Sequence, residues 1–232
     1  MKKQRNWGII VFGSLLIGSG IVSFGIRNAI HSYDVQAYEQ SIPVEDNYYE
    51  EGPYTEFSYR ATQQLKADGI KVPLYLQTDE RWKNEVIDYT NSLTMETHGS
   101  AIASMMMLLS YQQELDYDYE VIYELTSEDY FNSDNTLKWK FFEQVSENYG
   151  ISINNLGYHY KEAETHLKNG EPVIIALTPD DYSNEHFTVI VRTKDGNLRV
   201  LDPLDSPDTE HYKKVYTPSE LTDTIQNYWA II

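Results

Sequence analysis

The run His98-Gly-Ser-Ala-Ile-Ala-Ser-Met-Met-Met-Leu-Leu-Ser-Tyr111 decides how the rest of this chain must be arranged. From Ser100 onward it holds good helix formers and no breaker, so it reads as a helix. Small residues crowd its first turns and suit close packing against a neighbour. The Met105-Met-Met107 run belongs to the core. A buried central helix is therefore the element around which everything else should fold.

Toward the C-terminus, helical patterns come first. One lies around Tyr119 to Thr126, and another runs from Thr136 to Asn148 with Trp139, Phe142 and Val145 at helical spacing before Gly150. A third, Tyr160 to Lys168, ends at Gly170. The periodicity then changes. Pro172-Val-Ile-Ile-Ala-Leu177, His186-Phe-Thr-Val-Ile-Val191 and Leu198-Arg-Val-Leu201 are short, branched-rich and separated by turn residues, as strands are. The tight Asp195-Gly196-Asn197 link makes the last two an antiparallel hairpin. Thr217-Pro218-Ser219-Glu220 has the cap, proline and acid of a helix start, leading to a last strand around Tyr228 to Ile232. Helices followed by a mostly antiparallel sheet give an α+β class, with the central helix packed on one sheet face.

Toward the N-terminus, Lys71-Val-Pro-Leu-Tyr-Leu-Gln77 reads as a short strand, with Pro73 marking an edge or a strand start. Residues 28–70 carry Asp34, Glu39, Glu45, Asp46, Glu50, Glu51 and Glu56 with few large aliphatics in register. They are expected to form an acidic extracellular stalk, extended by like-charge repulsion, with short helical turns around Thr62 to Ala67. Lys2, Lys3 and Arg5 precede an uncharged run from Trp7 to Ile26. About 20 apolar residues suffice to cross a bilayer, whereas a cleaved signal has about 7–15. Residues 1–27 are accordingly expected to be a signal anchor, with the domain at 71–232 outside the cytoplasm. Cleavage near Ala37 is the alternative, and it would release the same domain.

Composition narrows the function. The net charge of −18, from 36 acidic against 18 basic residues, excludes nucleic acid as a partner, because such affinity rests on cations. Twenty tyrosines and 41% hydrophobic residues describe a folded chain. With no cysteine there is neither a disulfide nor a thiol nucleophile.

The series Val72-Pro-Leu-Tyr-Leu-Gln77-Thr-Asp-Glu-Arg-Trp82, His98-Gly-Ser-Ala-Ile-Ala-Ser-Met105, Gly170-Glu-Pro-Val-Ile-Ile175, His186-Phe-Thr-Val-Ile-Val191 and Leu201-Asp-Pro203 resembles the cysteine peptidase family thirty-nine group. These are papain-like double-glycine leader peptidases, and the likeness runs in order from about Lys71 to the end. It implies a papain-like fold and a peptide or polypeptide as ligand. It also implies that Gln77 is an oxyanion donor, that Ser100 stands where the family has its catalytic cysteine, and that His186 and Asp202 complete the set. No cofactor is implied. The layout has its own logic, since a group at a helix N-terminus lies beside free amides that can hold an oxyanion. A carboxylate behind an imidazole fixes its tautomer.

Serine departs from the family. A thiol reaches its thiolate because free cysteine starts near about 8.5, and a hydroxyl has no comparable acidity. Three readings of Ser100 follow: an inactive relative that kept a peptide-binding cleft, a working Ser100-His186-Asp202 hydrolase, or a plain helix N-cap. A structural module of the cell surface is a further alternative, consistent with an acidic exterior and a stalk. His98 offers an alternative base but reads more simply as a solvated loop residue. His159 and His166, seven apart, have the wrong spacing for a metal pair on a helix, so no metal is expected. Asp180-Asp181 and Asp205 to Asp208 read as solvated turns.

Overall fold

A computed structural model describes residues 52–88, 92–117, 120–127, 130–132, 136–177 and 185–232. The expected anchor at 1–27, the stalk as far as residue 51, and the Asp180-Asp181 turn lie outside the described residues. Among the described residues no helix is long and apolar enough to cross a membrane.

In chain order the elements are α1 (Pro53–Ala67), α2 (Met95–His98), α3 (Ser100–Gln113), α4 (Glu120–Leu125), α5 (Phe141–Asn148) and β1 (Ile153–Gly157). There follow α6 (Tyr160–Lys168), β2 (Val173–Leu177), β3 (His186–Arg192), β4 (Leu198–Leu201), α7 (Pro218–Leu221) and β5 (Ile225–Ile231). The five strands form one sheet in the order β1-β5-β2-β3-β4, and every neighbouring pair is antiparallel. The class is α+β, as expected.

The central helix is α3. Every residue from Ser100 to Ser110 is buried, so the helix needs neighbours on all sides. One sheet face meets it through Phe187, Val189 and Trp229, joined by Phe142 of α5. Trp229 packs its ring against Phe142 at 4.9 Å and Phe187 at 5.9 Å. The other face is closed by Ala163 and Leu167 of α6 over Val173, Ile175 and Tyr228.

Three expectations change. Residues 53–67 are a helix packed on the domain, because Phe57, Ala61 and Leu65 belong to the same core as α3. This part of the expected stalk is folded, and the domain begins before residue 71. The helix is held at its start by Glu80, whose carboxylate accepts the Thr55 amide at 2.9 Å. The expected strand Lys71–Gln77 forms no regular element and lies outside the sheet. Its buried Leu74 is satisfied by α1 instead: Ser58 Oγ donates to its carbonyl at 2.6 Å, and its amide donates to Thr62 Oγ1 at 2.9 Å. The third change is at Thr136–Lys140, where a helix was expected. Lys138 donates its amide to Tyr130 and Leu137 bridges Phe131, so α5 starts only at Phe141. The edge strand β1 was not anticipated, its Ile-Asn-Asn-Leu-Gly sequence lacking strand composition.

Thr62→Val leaves the buried Leu74 amide without an acceptor, whereas Thr62→Ser keeps a hydroxyl. Denaturant unfolding should show about 1–3 kcal/mol lost in the first variant and less than half of that in the second.

Candidate functional site

The hairpin β3–β4 pairs Val189 with Leu201, which leaves His186 at the start of one strand beside Asp202 just past the end of the other. His186 Nε2 and Asp202 Oδ1 are 2.7 Å apart. The carboxylate therefore holds the tautomer with hydrogen on Nε2, and Nδ1, which makes no hydrogen bond within the described residues, keeps its lone pair. The imidazole is 21% exposed and the carboxylate 16%, so the pair sits in a shallow, partly dry position. Asp202 Oδ1 also accepts the Leu204 amide at 2.8 Å. Burial alone would raise the Asp202 pKa. The His186 hydrogen bond and charge, the Leu204 amide and the His211 charge outweigh it, and the carboxyl lies below its ordinary value.

Ser100 is the first residue of α3 and only 6% exposed. The N-cap is Gly99, so the reading of Ser100 as a plain cap does not hold. Its Oγ instead accepts the Phe187 amide at 3.3 Å. Ser100 thus touches the peptide that joins His186 to Phe187, and no hydrogen bond links its hydroxyl to the imidazole. Gly99 closes α2 and opens α3 in one step, with φ −82° and ψ 4°. Glycine is needed here for room rather than for a special φ: a Cβ would lie 2.4 Å from the Met95 carbonyl and 2.8 Å from its Cα.

Gln77 is 3% exposed, and its Nε2 donates to the Glu96 carbonyl at 2.6 Å. Because a carbonyl only accepts, the side-chain amide cannot be turned the other way. Glu96 is four residues before Ser100, so its carbonyl is the helical acceptor for the Ser100 amide. A carbonyl can accept twice, so the Gln77 contact leaves room for a second donor, and the Gly99 amide bonds to Met95 at 2.8 Å. Ser100 heads α3, so its amide is among those at a helix start with no partner inside that helix. Gln77 was expected as a direct oxyanion donor. Geometrically its Nε2 is engaged with the Glu96 carbonyl and keeps one further N–H. Its Oε1 is buried without a partner.

The four residues expected from sequence are thus gathered at one end of α3. Sequence reasoning missed what holds them. Asp205 was taken for a solvated turn, yet it is fully buried. Its carboxylate accepts the amides of Ser206, His211 and Tyr212 and the Thr209 hydroxyl, all within 2.9 Å. The segment carrying Asp202 is folded around it. His211 Nδ1 stands 3.9 Å from the second oxygen of Asp202. Trp139 Nε1 donates to Glu185, next to His186, at 3.0 Å. No local signal separates Asp205 from an ordinary loop aspartate. His98 is half-buried at the end of α2, with Nδ1 enclosed and unpartnered, rather than solvated. His166 pairs with Glu171 at 2.6 Å and His159 stacks on Tyr158, far apart in role.

Residues 69–232 match the profile of the Peptidase_C39 like family. A crystal structure of a candidate C39-like peptidase from Bacillus anthracis is similar at 15% identity and a TM-score of 0.43, covering 69% of this chain and 94% of that one. No curated protein matches the sequence.

Two outcomes follow from this geometry. Gly99→Ala should cost about 1–3 kcal/mol in denaturant unfolding, since the added methyl meets backbone that cannot move alone. Asp202 has a carboxyl lowered by folding, so its stabilisation is complete above its unfolded value of about 3.9 and disappears as pH falls through the lower folded value. Melting temperature followed below pH 4 should therefore fall less steeply in Asp202→Asn than in the unaltered chain.

Proposed function

This chain belongs to the Peptidase_C39 like family, and from that premise we propose that it is an exported, membrane-anchored member that binds peptides while hydrolysing them weakly or not at all. In this reading Ser100 occupies the position of the catalytic cysteine, with His186, Asp202 and Gln77 beside it. The observation that carries it is the partner of the Ser100 hydroxyl. Its oxygen accepts an amide hydrogen from Phe187 and has no hydrogen bond to His186. A serine attacks only when a base takes its proton during attack, and an oxygen already accepting an N–H has one fewer lone pair to offer. Features suited to holding a peptide nonetheless remain: the Ser100 amide at the start of α3, the Gln77 side chain and the His186 imidazole paired with Asp202.

A second reading, an active hydrolase using Ser100, His186 and Asp202, is favoured by one feature. The His186–Asp202 pair leaves Nδ1 able to accept a proton, which a purely structural pair would not require. The uncharged run from Trp7 to Ile26 behind Lys2, Lys3 and Arg5 supports the anchor and the outward orientation.

An electrophilic active-site probe applied to the full chain and to its Ser100→Cys variant separates the readings. Labelling of the variant alone is expected, with a thiol midpoint below about 7.5 against about 8.5 for a free cysteine. Labelling of the unaltered chain establishes the hydrolase instead, and an unreactive thiol in the variant rejects a peptidase-type cleft altogether.

A further inference from the structure

We infer that α1, a helix preceding the family-matched residues 69–232, is a positioning element of the site that holds the two segments carrying Gln77 and Asp202. The inference rests on the reading of Ser100, His186 and Asp202 proposed above. α1 touches none of the reacting groups, and it acts through their supports.

On the Gln77 side, Ser58 and Thr62 lie one helical turn apart and together satisfy both backbone groups of Leu74. Leu74 is three residues before Gln77. On the Asp202 side, Phe57 meets the Tyr212 ring edge-on at 5.7 Å. The Tyr212 amide is bound by Asp205 Oδ2 at 2.9 Å, and the Asp205 amide donates to the Asp202 carbonyl at 2.9 Å. A second tie to the same side comes just after the helix. Asp68 accepts from Arg199 of β4 at 2.6 Å, three residues before Asp202. The Arg199 hydrogen bond keeps the Asp68 carboxyl below its ordinary value. The two sides are joined to each other where the Gln77 amide donates to Pro203 at 2.9 Å.

The start of α1 is fixed as well. Glu80 accepts the Thr55 amide at 2.9 Å, and Thr55 Oγ1 gives its one hydrogen to the buried Asp79 at 2.7 Å, the shorter of its two carboxylate contacts. Asp79 is itself gripped by the Arg81 guanidinium at 2.8 and 2.9 Å. A helix pinned in this way cannot shift without moving Leu74 and Tyr212 together. Phe57, Ser58, Thr62 and Asp68 are accordingly positioning residues.

The chain has no native cysteine, so in the full-length Ser100→Cys protein the only thiol reports on the site. Its iodoacetamide alkylation rate is followed against pH in that background and after adding Phe57→Leu, Asp68→Asn or Asp68→Glu. Loosening Asp202 weakens the imidazolium that favours the thiolate. The midpoint is expected to rise by about half a unit or more with Phe57→Leu and Asp68→Asn, toward the ordinary value near about 8.5, and to stay in place with Asp68→Glu. An unchanged midpoint alongside a lower melting temperature overturns the inference and leaves α1 as structural support only. Should Phe57→Leu fail to fold, Asp68→Asn, at the half-buried residue that caps the end of α1, decides alone. An ordinary midpoint already in the Ser100→Cys parent instead rejects the reading of the site, and the role of α1 falls with it.

Discussion

A helix that is apolar on every side has nowhere stable to lie except inside, and α3 imposes that condition on the whole chain. Its residues from Ser100 to Ser110 are buried without exception. The sheet covers part of it, chiefly through β3, α4 meets another part, and the segment 70–76 and α1 belong to the same core. That segment cannot join the sheet from where it lies, and its buried backbone must still be satisfied. Two hydroxyls of α1 meet that need at Leu74, which makes a helix do the work of a neighbouring strand.

The same burial brings a helix N-terminus up against the start of a strand. Ser100 can touch Phe187 only because Gly99 lets α2 run into α3 with no side chain in the way. The strand start carries His186, and antiparallel pairing brings Asp202 to it from the other arm of the hairpin. Buried Asp205 turns the chain back immediately afterwards, so the carboxylate is delivered by a folded loop rather than a free end. Gln77 then binds the Glu96 carbonyl, one helical turn before the serine. None of these steps involves unusual chemistry. Each is a backbone requirement met by a particular side chain.

Legibility in the sequence followed how local the cause was. β2, β3 and β4 are branched-rich and bounded by turns, and Asp195-Gly196-Asn197 announces their hairpin. α3 is equally plain. β1 escaped notice because an edge strand of Asn-Asn-Leu-Gly owes its form to pairing with β5. α1 escaped because two of its inward positions are Ser58 and Thr62, which break the apolar stripe that a helix search follows. Lys71–Gln77 has strand composition, and nothing in it discloses that a helix answers its hydrogen bonds. The four candidate residues could be picked out by their order along the chain. Their supports could not, since Asp205 and a loop aspartate are the same letter, and the use of Gln77 depends on where the Glu96 carbonyl comes to lie.

The capping of α1 by Glu80 also decides which residue can stand just ahead of the helix. Gly52 sits so close to Glu80 that a methyl there would lie 2.3 Å from the carboxyl carbon. Any side chain at position 52 would therefore push the Glu80 carboxylate off the Thr55 amide and strip the helix start of its acceptor, so the demand for glycine there is set by a residue 28 positions further along the chain.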